Sequence, residues 1–324
     1  MKCFLFPLIL LLILSVSPKA MSADDFFDSL IESEATVQGS QMNNEPYFSN
    51  KTNPLSNIST DDLAGKIPWV HGFEIMDLEK KAYRTGHNEN RHPESVASVI
   101  KLPVVNIALK EIMEGSMREE ESMSVKLNNV QSYDGEPVGQ KYTVKEAIHA
   151  TLYRSSNTCP NLLADKLGGL NQLRVKLSET GYRDTGYNYL SSIKRTIKPK
   201  FQVGSTASDL AISVHDFYHT YRYAQDIHSP GSAWYAFTHT KYKIPVTGGD
   251  NIGGKIGTNS RSSTYAGIYK IEQKYYIIVT LIDKKSFSKS YSGPINATSG
   301  DKALIDANQI IVNEIRKVLF RVNE

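Results

Sequence analysis

Ser98 stands three residues ahead of Lys101 in the stretch Ser98-Val-Ile-Lys-Leu-Pro103. On a helical turn, positions i and i+3 share a face, so the lysine amine can reach the serine oxygen. Such a pair is either a nucleophile with its base or a cap beside a solvated charge. The spacing alone does not decide, because it recurs at Ser191–Lys194, Ser286–Lys289 and Ser299–Lys302. Two further short motifs follow in order. Ser155-Ser156-Asn157 falls in a polar elbow, and Lys255-Ile256-Gly257-Thr258 follows the glycine-rich stretch TGGDNIGG.

The elements around these motifs give them places. Residues 104–115, VVNIALKEIMEG, have helical apolar spacing and end at a glycine. Pro103 fits only the first turn of that helix, so Ser98 and Lys101 lie at its N-terminal end. Residues 142–169 predict two helices with the elbow at Arg154–Asn157, and residues 205–225 another with a serine or threonine cap. Residues 71–86 alternate as two strands around a Leu78–Lys81 turn. Residues 264–284 predict a hairpin turning at Glu272–Lys274, followed by an amphipathic helix over 301–320 with Leu304, Ile311, Ile315 and Val318 on one stripe. Strands, then helices, then strands and a helix predict an α/β (α+β) fold. An antiparallel sheet is built from both chain ends, with an inserted all-α subdomain.

Length and composition bound the rest. At 324 residues, with 22% charged side chains, the chain is long enough for one large globular domain. Residues 1–23 carry Lys2, an apolar run from Cys3 to Val16 and then small residues, the layout of a cleaved secretory signal. The run is short for a bilayer span of about 20 residues. Secretion or export to a periplasm is expected, with no stable membrane insertion after cleavage. Residues 24–65 are polar and are expected to form a spacer with one short helix near Phe26–Ile31. The folded body is expected over 66–324: an α/β part at 66–92 and 240–324, and a helical part at 93–239. The formal charge of +3 falls to +1 when Lys2 and Lys19 leave with the signal, so nothing argues for nucleic acid. Cys3 leaves too, and Cys159 alone makes no internal disulfide. No metal and no cofactor are expected, because the histidines show no ligating spacing. A monomer is expected.

The ordered set of Ser-x-x-Lys at a helix start, Ser-x-Asn between helices and Lys-x-Gly on a C-terminal strand resembles the penicillin-recognising serine hydrolases. The likeness extends to TVKEAIHATLYRSSNTCPNLLADKLGG, which is similar to the corresponding segment of class A β-lactamases, and to STASDLA, which resembles a helix start of that family. It covers 67–322. The resemblance implies roles. Ser98 is the nucleophile and Lys101 its base, made neutral by burial and by Lys255 as a second cation. Ser155 relays a proton to the leaving nitrogen, and Asn157 holds a substrate amide. The backbone amides of Ser98 and Thr258 stabilise the oxyanion, while Gly257 lets the strand approach the substrate. Arg261 is a candidate for binding a substrate carboxylate, and a surface arginine is the equal alternative. The bland readings are caps at Ser155 and Asn157, a solvated Lys255 and a buried, unreactive Cys159.

The sequence departs from class A in three places. Ile256 replaces a threonine whose hydroxyl contacts a substrate carboxylate, and Thr258 is expected to compensate. Ser156 replaces an aspartate. The Ω-loop glutamate that activates the deacylating water is missing: no Asp or Glu occurs from Thr185 to Ser208, and the stretch carries Lys194, Arg195, Lys198 and Lys200 instead. Losing a general base costs about 10²- to 10⁴-fold. The expectation is a serine hydrolase that opens a β-lactam amide through a Ser98 acyl-enzyme, with slow deacylation. The alternatives are a DD-peptidase acting on a peptidoglycan stem peptide and a penicillin-fold binding protein without turnover.

Overall fold

The computed structural model describes residues 53–321, apart from 83, 89–94, 131–133, 188–203, 222–228, 242, 260–261 and 284–298. The signal segment, the helix expected near 26–31, Arg261 and the basic run 194–200 lie outside the described residues.

The chain enters through a 3₁₀ turn at Pro54–Asn57 and helix α1 (Thr60–Lys66), which Ser59 caps through its side chain. Strands β1 (Gly72–Asp77) and β2 (Arg84–Asn88) come next. A 3₁₀ turn at Ala97–Ile100 leads without a break into α2 (Lys101–Met113). A short pair, β3 (Ser122–Ser124) and β4 (Lys141–Thr143), precedes α3 (Val144–Tyr153), which opens with a capping box between Thr143 and Glu146. The helical series continues with α4 (Thr158–Lys166), α5 (Gly169–Glu179), α6 (Ala207–Tyr221) and α7 (Ala233–Thr238). The chain then returns as β5 (Asp250–Thr258), β6 (Ser262–Ile271) and β7 (Lys274–Asp283), and closes with α8 (Ser299–Arg321).

Among the described residues, five strands form one antiparallel sheet in the order β2-β1-β7-β6-β5. Strands from both ends of the chain therefore meet at β1 and β7, as the sequence implies. One face of the sheet, carrying Phe73, Ile75, Tyr265, Tyr269 and Ile278, packs on the α8 stripe of Leu304, Ile311, Ile315 and Val318. Burying such aliphatic side chains contributes about 1.5–3 kcal/mol each. Helix α6, expected in the helical part, packs against β1, β6 and β7, and α2 packs on it in turn.

The structure differs from the sequence reading at two points. The body begins before residue 66: Leu55, Ile58 and Leu63, placed by their polar neighbours in a spacer, are buried in the α8 core. A few apolar anchors are enough to order a polar segment when a groove between helix and sheet accepts them. Strands β3 and β4 were invisible in the sequence, because three residues each, with only the central one buried, give no usable alternation.

Candidate active site

Three elements converge on Lys101. Its ammonium stem is held on the first turn of α2, and the residue is 0% exposed. The Nζ atom lies within hydrogen-bond distance of four oxygens: Ser98 Oγ at 3.2 Å, Ser155 O at 2.6 Å, Ser155 Oγ at 3.0 Å and Asn157 Oδ1 at 2.7 Å. The spacing i, i+3 brings Ser98 to the amine within one turn, and the α3–α4 elbow brings the rest. The elbow is sharp because Ser155 sits at φ 60°, a conformation that costs about 1–3 kcal/mol for a residue other than glycine. Ala97, just ahead of the nucleophile, sits at φ 46°. Strain of this kind persists where the surroundings over-determine the backbone.

The electrostatics favour a neutral amine. Burial lowers the Lys101 pKa to about 7, against the opposing charges of Asp134 and Glu136. Lys255, on β5, is 1% exposed. Burial holds it well below the ordinary lysine value, and the Lys101 charge adds to that. Of the two causes expected to keep Lys101 neutral, burial is the larger, and the Lys101 charge in turn holds Lys255 down.

Gly257 approaches a different partner from the one expected. A Cβ there would lie 2.5 Å from Ser98 N and 2.8 Å from both Val96 O and Val99 N. The bare glycine lets β5 press against the turn that carries the nucleophile. Side chains at 256 and 258 point to the other face. Ile256 packs against the α8 core, and the Thr258 hydroxyl donates to Asp301 Oδ1 at 3.1 Å. The expectation that Thr258 replaces the missing hydroxyl of position 256 toward a substrate is thus corrected, because that hydroxyl is engaged on α8. The Thr258 backbone remains beside the Ser98 turn through Gly257.

The caps at the elbow differ from the bland reading. Asn157 makes no capping bond with its side chain. Ser156 Oγ accepts from Cys159 N at 3.0 Å instead. Sequence reasoning missed Asp134 and Glu136, in the β3–β4 connection, which stand behind the elbow. Asp134 Oδ2 accepts from Asn157 N at 2.5 Å and from Thr158 N at 2.7 Å. Glu136 forms an ion pair with Arg154 at 2.6 Å. Their only sequence signal was a pair of carboxylates in a polar turn. Cys159 is buried, and burial pushes its thiol up to about 12, which makes it unreactive as the sequence implied.

Both ends of the stretch lacking a carboxylate are anchored. Gly186 and Gly204 pair backbone to backbone, Tyr187 Oη donates to Asn161 Oδ1 on α4 at 2.9 Å, and Asp209 Oδ2 accepts from Asp184 N at 2.8 Å.

Two serines converging on one buried amine of lowered pKa, at the join of an antiparallel sheet and a helical layer, define a penicillin-recognising serine hydrolase. A profile of the beta-lactamase enzyme family matches residues 61–315, and the chain belongs to that family. Solved structures similar to it include a beta-lactamase from Xanthomonas campestris pv. campestris (14% identity, TM-score 0.61, covering 91% of this chain and 99% of that one). An ancestral class A beta-lactamase is similar at 15% identity and TM-score 0.61, over 78% of this chain and 97% of that one. So is a point mutant of PBP-A, solved as its acyl-enzyme complex with penicillin G (16% identity, TM-score 0.60, 82% and 97%). At these identities the likeness is one of fold. No curated protein matches the chain.

Proposed function

We propose that the protein opens the β-lactam amide through an acyl-enzyme on Ser98, and that it releases the acyl group slowly. The observation that carries this reading is the set of partners around Lys101 Nζ. A neutral amine has two N–H bonds and one lone pair. Ser155 O and Asn157 Oδ1 are pure acceptors and take the two N–H bonds. The lone pair is left facing the hydroxyls of Ser98 and Ser155. Lys101 accepts the Ser98 proton as Oγ bonds to the carbonyl carbon. The proton then passes through Ser155 Oγ to the amide nitrogen as the C–N bond breaks. The Ser98 amide, at the start of the turn leading into α2, supports the oxyanion together with the Thr258 amide.

The absence of Asp and Glu from Thr185 to Ser208 supports slow deacylation. The same feature favours a second reading, a DD-peptidase or penicillin-binding enzyme that is acylated by stem peptides and needs no such carboxylate. Residues 1–23 support a secreted or periplasmic location. Turnover of a chromogenic cephalosporin, measured beside release of D-alanine from a D-Ala-D-Ala peptide, separates the two. Cephalosporin turnover without peptide cleavage supports the first reading, and peptide cleavage overturns it in favour of the second.

A further inference from the structure

Proton transfer to Lys101 needs Asn157 to present its oxygen, not its nitrogen, to the amine. Nothing in the Lys101 shell enforces that choice when the amine is neutral, since the lone pair of the amine would accept from an amide N–H equally well. A rotated Asn157 would then occupy the lone pair and leave Lys101 unable to take the Ser98 proton. The orientation is set from behind. Asn157 Nδ2 donates to Asp134 Oδ1 at 3.2 Å, and an ionised carboxylate only accepts. With its nitrogen held toward Asp134, the amide turns its oxygen to Lys101 Nζ at 2.7 Å.

Asp134 also fixes where the amide sits. Its Oδ2 accepts from the backbone N–H groups of Asn157 and Thr158, and Ser156 Oγ lies 3.1 Å away. A carboxylate at these amides caps the first turn of α4 and meets the positive end of the helix. Ser156, where class A enzymes carry an aspartate, thus has a carboxylate beside it that comes from the β3–β4 connection. We infer that Asp134 is a positioning residue, whose carboxylate locks the Asn157 amide so that the Lys101 lone pair is directed at Ser98.

The inference rests on the reading of Lys101 as the base, and its test separates the two. Among the described residues, the charged or titratable groups facing Lys101 are Lys255 from β5, Asp134 and Glu136 from the β3–β4 connection, and the Cys159 thiol, which is neutral in the working range. The measurement is the titration of Lys101 by NMR of lysine labelled at Cε, in the mature chain and in Asp134→Asn. Acylation by a fluorescent penicillin is followed on the same samples. Asp134→Asn keeps the shape but sets an N–H group against Asn157 Nδ2, which frees the amide to rotate, and it removes a negative charge that supports the ammonium form. The expected result is a lower Lys101 midpoint together with at least a tenfold loss of acylation rate.

Ser156→Ala, which removes the bonds to Cys159 N and to the Asp134 and Glu136 carboxylates but keeps the contacts of Asp134 with Asn157 and Thr158, is expected to lower Tm without moving the midpoint. If Asp134→Asn does not fold, Asp134→Ser carries the same expectation, because it keeps one cap oxygen and loses the contact to Asn157 Nδ2. The midpoint moves with the lost charge alone, so an acylation rate equal to wild type at about pH 9, where Lys101 is neutral in both chains, overturns the inference, whether or not Tm falls. If the wild-type chain takes up no penicillin, the proposed function fails, and the Asn157 side-chain amide signals on the same NMR samples decide the role of Asp134: they are expected to shift in Asp134→Asn, and unchanged signals overturn it.

Discussion

Gly257 and Ser98 belong to different layers of the molecule, and the only thing between them is the missing side chain of the glycine: a Cβ at 257 would stand 2.5 Å from Ser98 N. Strand β5 and the nucleophile turn are held at backbone contact. Gly257→Ala is therefore expected to push the two apart, with a stability loss of about 1–3 kcal/mol from overpacking. A displacement of about 1 Å at a reacting group costs roughly 10²-fold in rate. Acylation measured by a reporter penicillin and Tm measured on the same variant check both figures. A variant acylated at the wild-type rate would show that this contact does not position Ser98.

The pH dependence of acylation follows from the lowered Lys101 pKa of about 7. The base must be neutral, and the neutral fraction falls tenfold for each unit of pH below that value. The acylation rate is expected to be level above about pH 8 and to fall with unit slope below about pH 7, as read by stopped-flow fluorescence from about pH 5 to pH 9. Lys101→Arg, which keeps the charge and cannot lose its proton, is expected to abolish acylation across the range. A wild-type rate that is flat across that whole range would exclude Lys101 as the base.

Glu74 is a buried carboxylate away from the Ser–Lys cluster, on β1. Burial raises its pKa from 4.5 to about 7, and the charge of Arg84 opposes that only in part. Below pH 4.5 both folded and unfolded chains hold the proton. Between 4.5 and 7 the unfolded chain releases it and the folded chain does not, so stability falls through this window. Above pH 7 the full loss of about 3 kcal/mol remains. Glu74→Gln is expected to be more stable than wild type at about pH 8 and to lose most of that advantage at about pH 4.5. Urea denaturation at the two pH values checks this, and an equal difference at both would refute it.

Ser156 caps α4 through the bond from Cys159 N. Ser156→Ala is expected to cost about 1 kcal/mol of stability. Thermal unfolding reads this directly, and a Tm equal to wild type would mean that Asp134 alone supplies the cap.

Much of this arrangement was legible in the sequence where periodicity and order acted together. The α8 stripe, the β6–β7 hairpin turning at Glu272 and the elbow before α4 fall where apolar spacing and polar breaks put them. Ser98, Lys101, Ser155, Asn157 and Lys255 were nameable because their motifs occur in one order. The partners of those residues were not. Asp134 reaches Asn157 through the path of the β3–β4 connection, and no pattern in a polar turn encodes that path. The contact of Gly257 with the Ser98 turn is likewise a matter of how two layers meet. Leu55 and Leu63 were hidden for the opposite reason, because their polar neighbours outvoted them locally while a core groove accepted them.

The most direct test of Ser98 as the acylated nucleophile is intact-mass spectrometry of the chain mixed with a penicillin and followed over time, beside Ser98→Ala. The expected result is an adduct of one intact penicillin on the wild-type chain that persists because deacylation is slow, and no adduct on Ser98→Ala. An adduct on Ser98→Ala, or none on the wild-type chain at any time, would contradict the Ser98 acyl-enzyme.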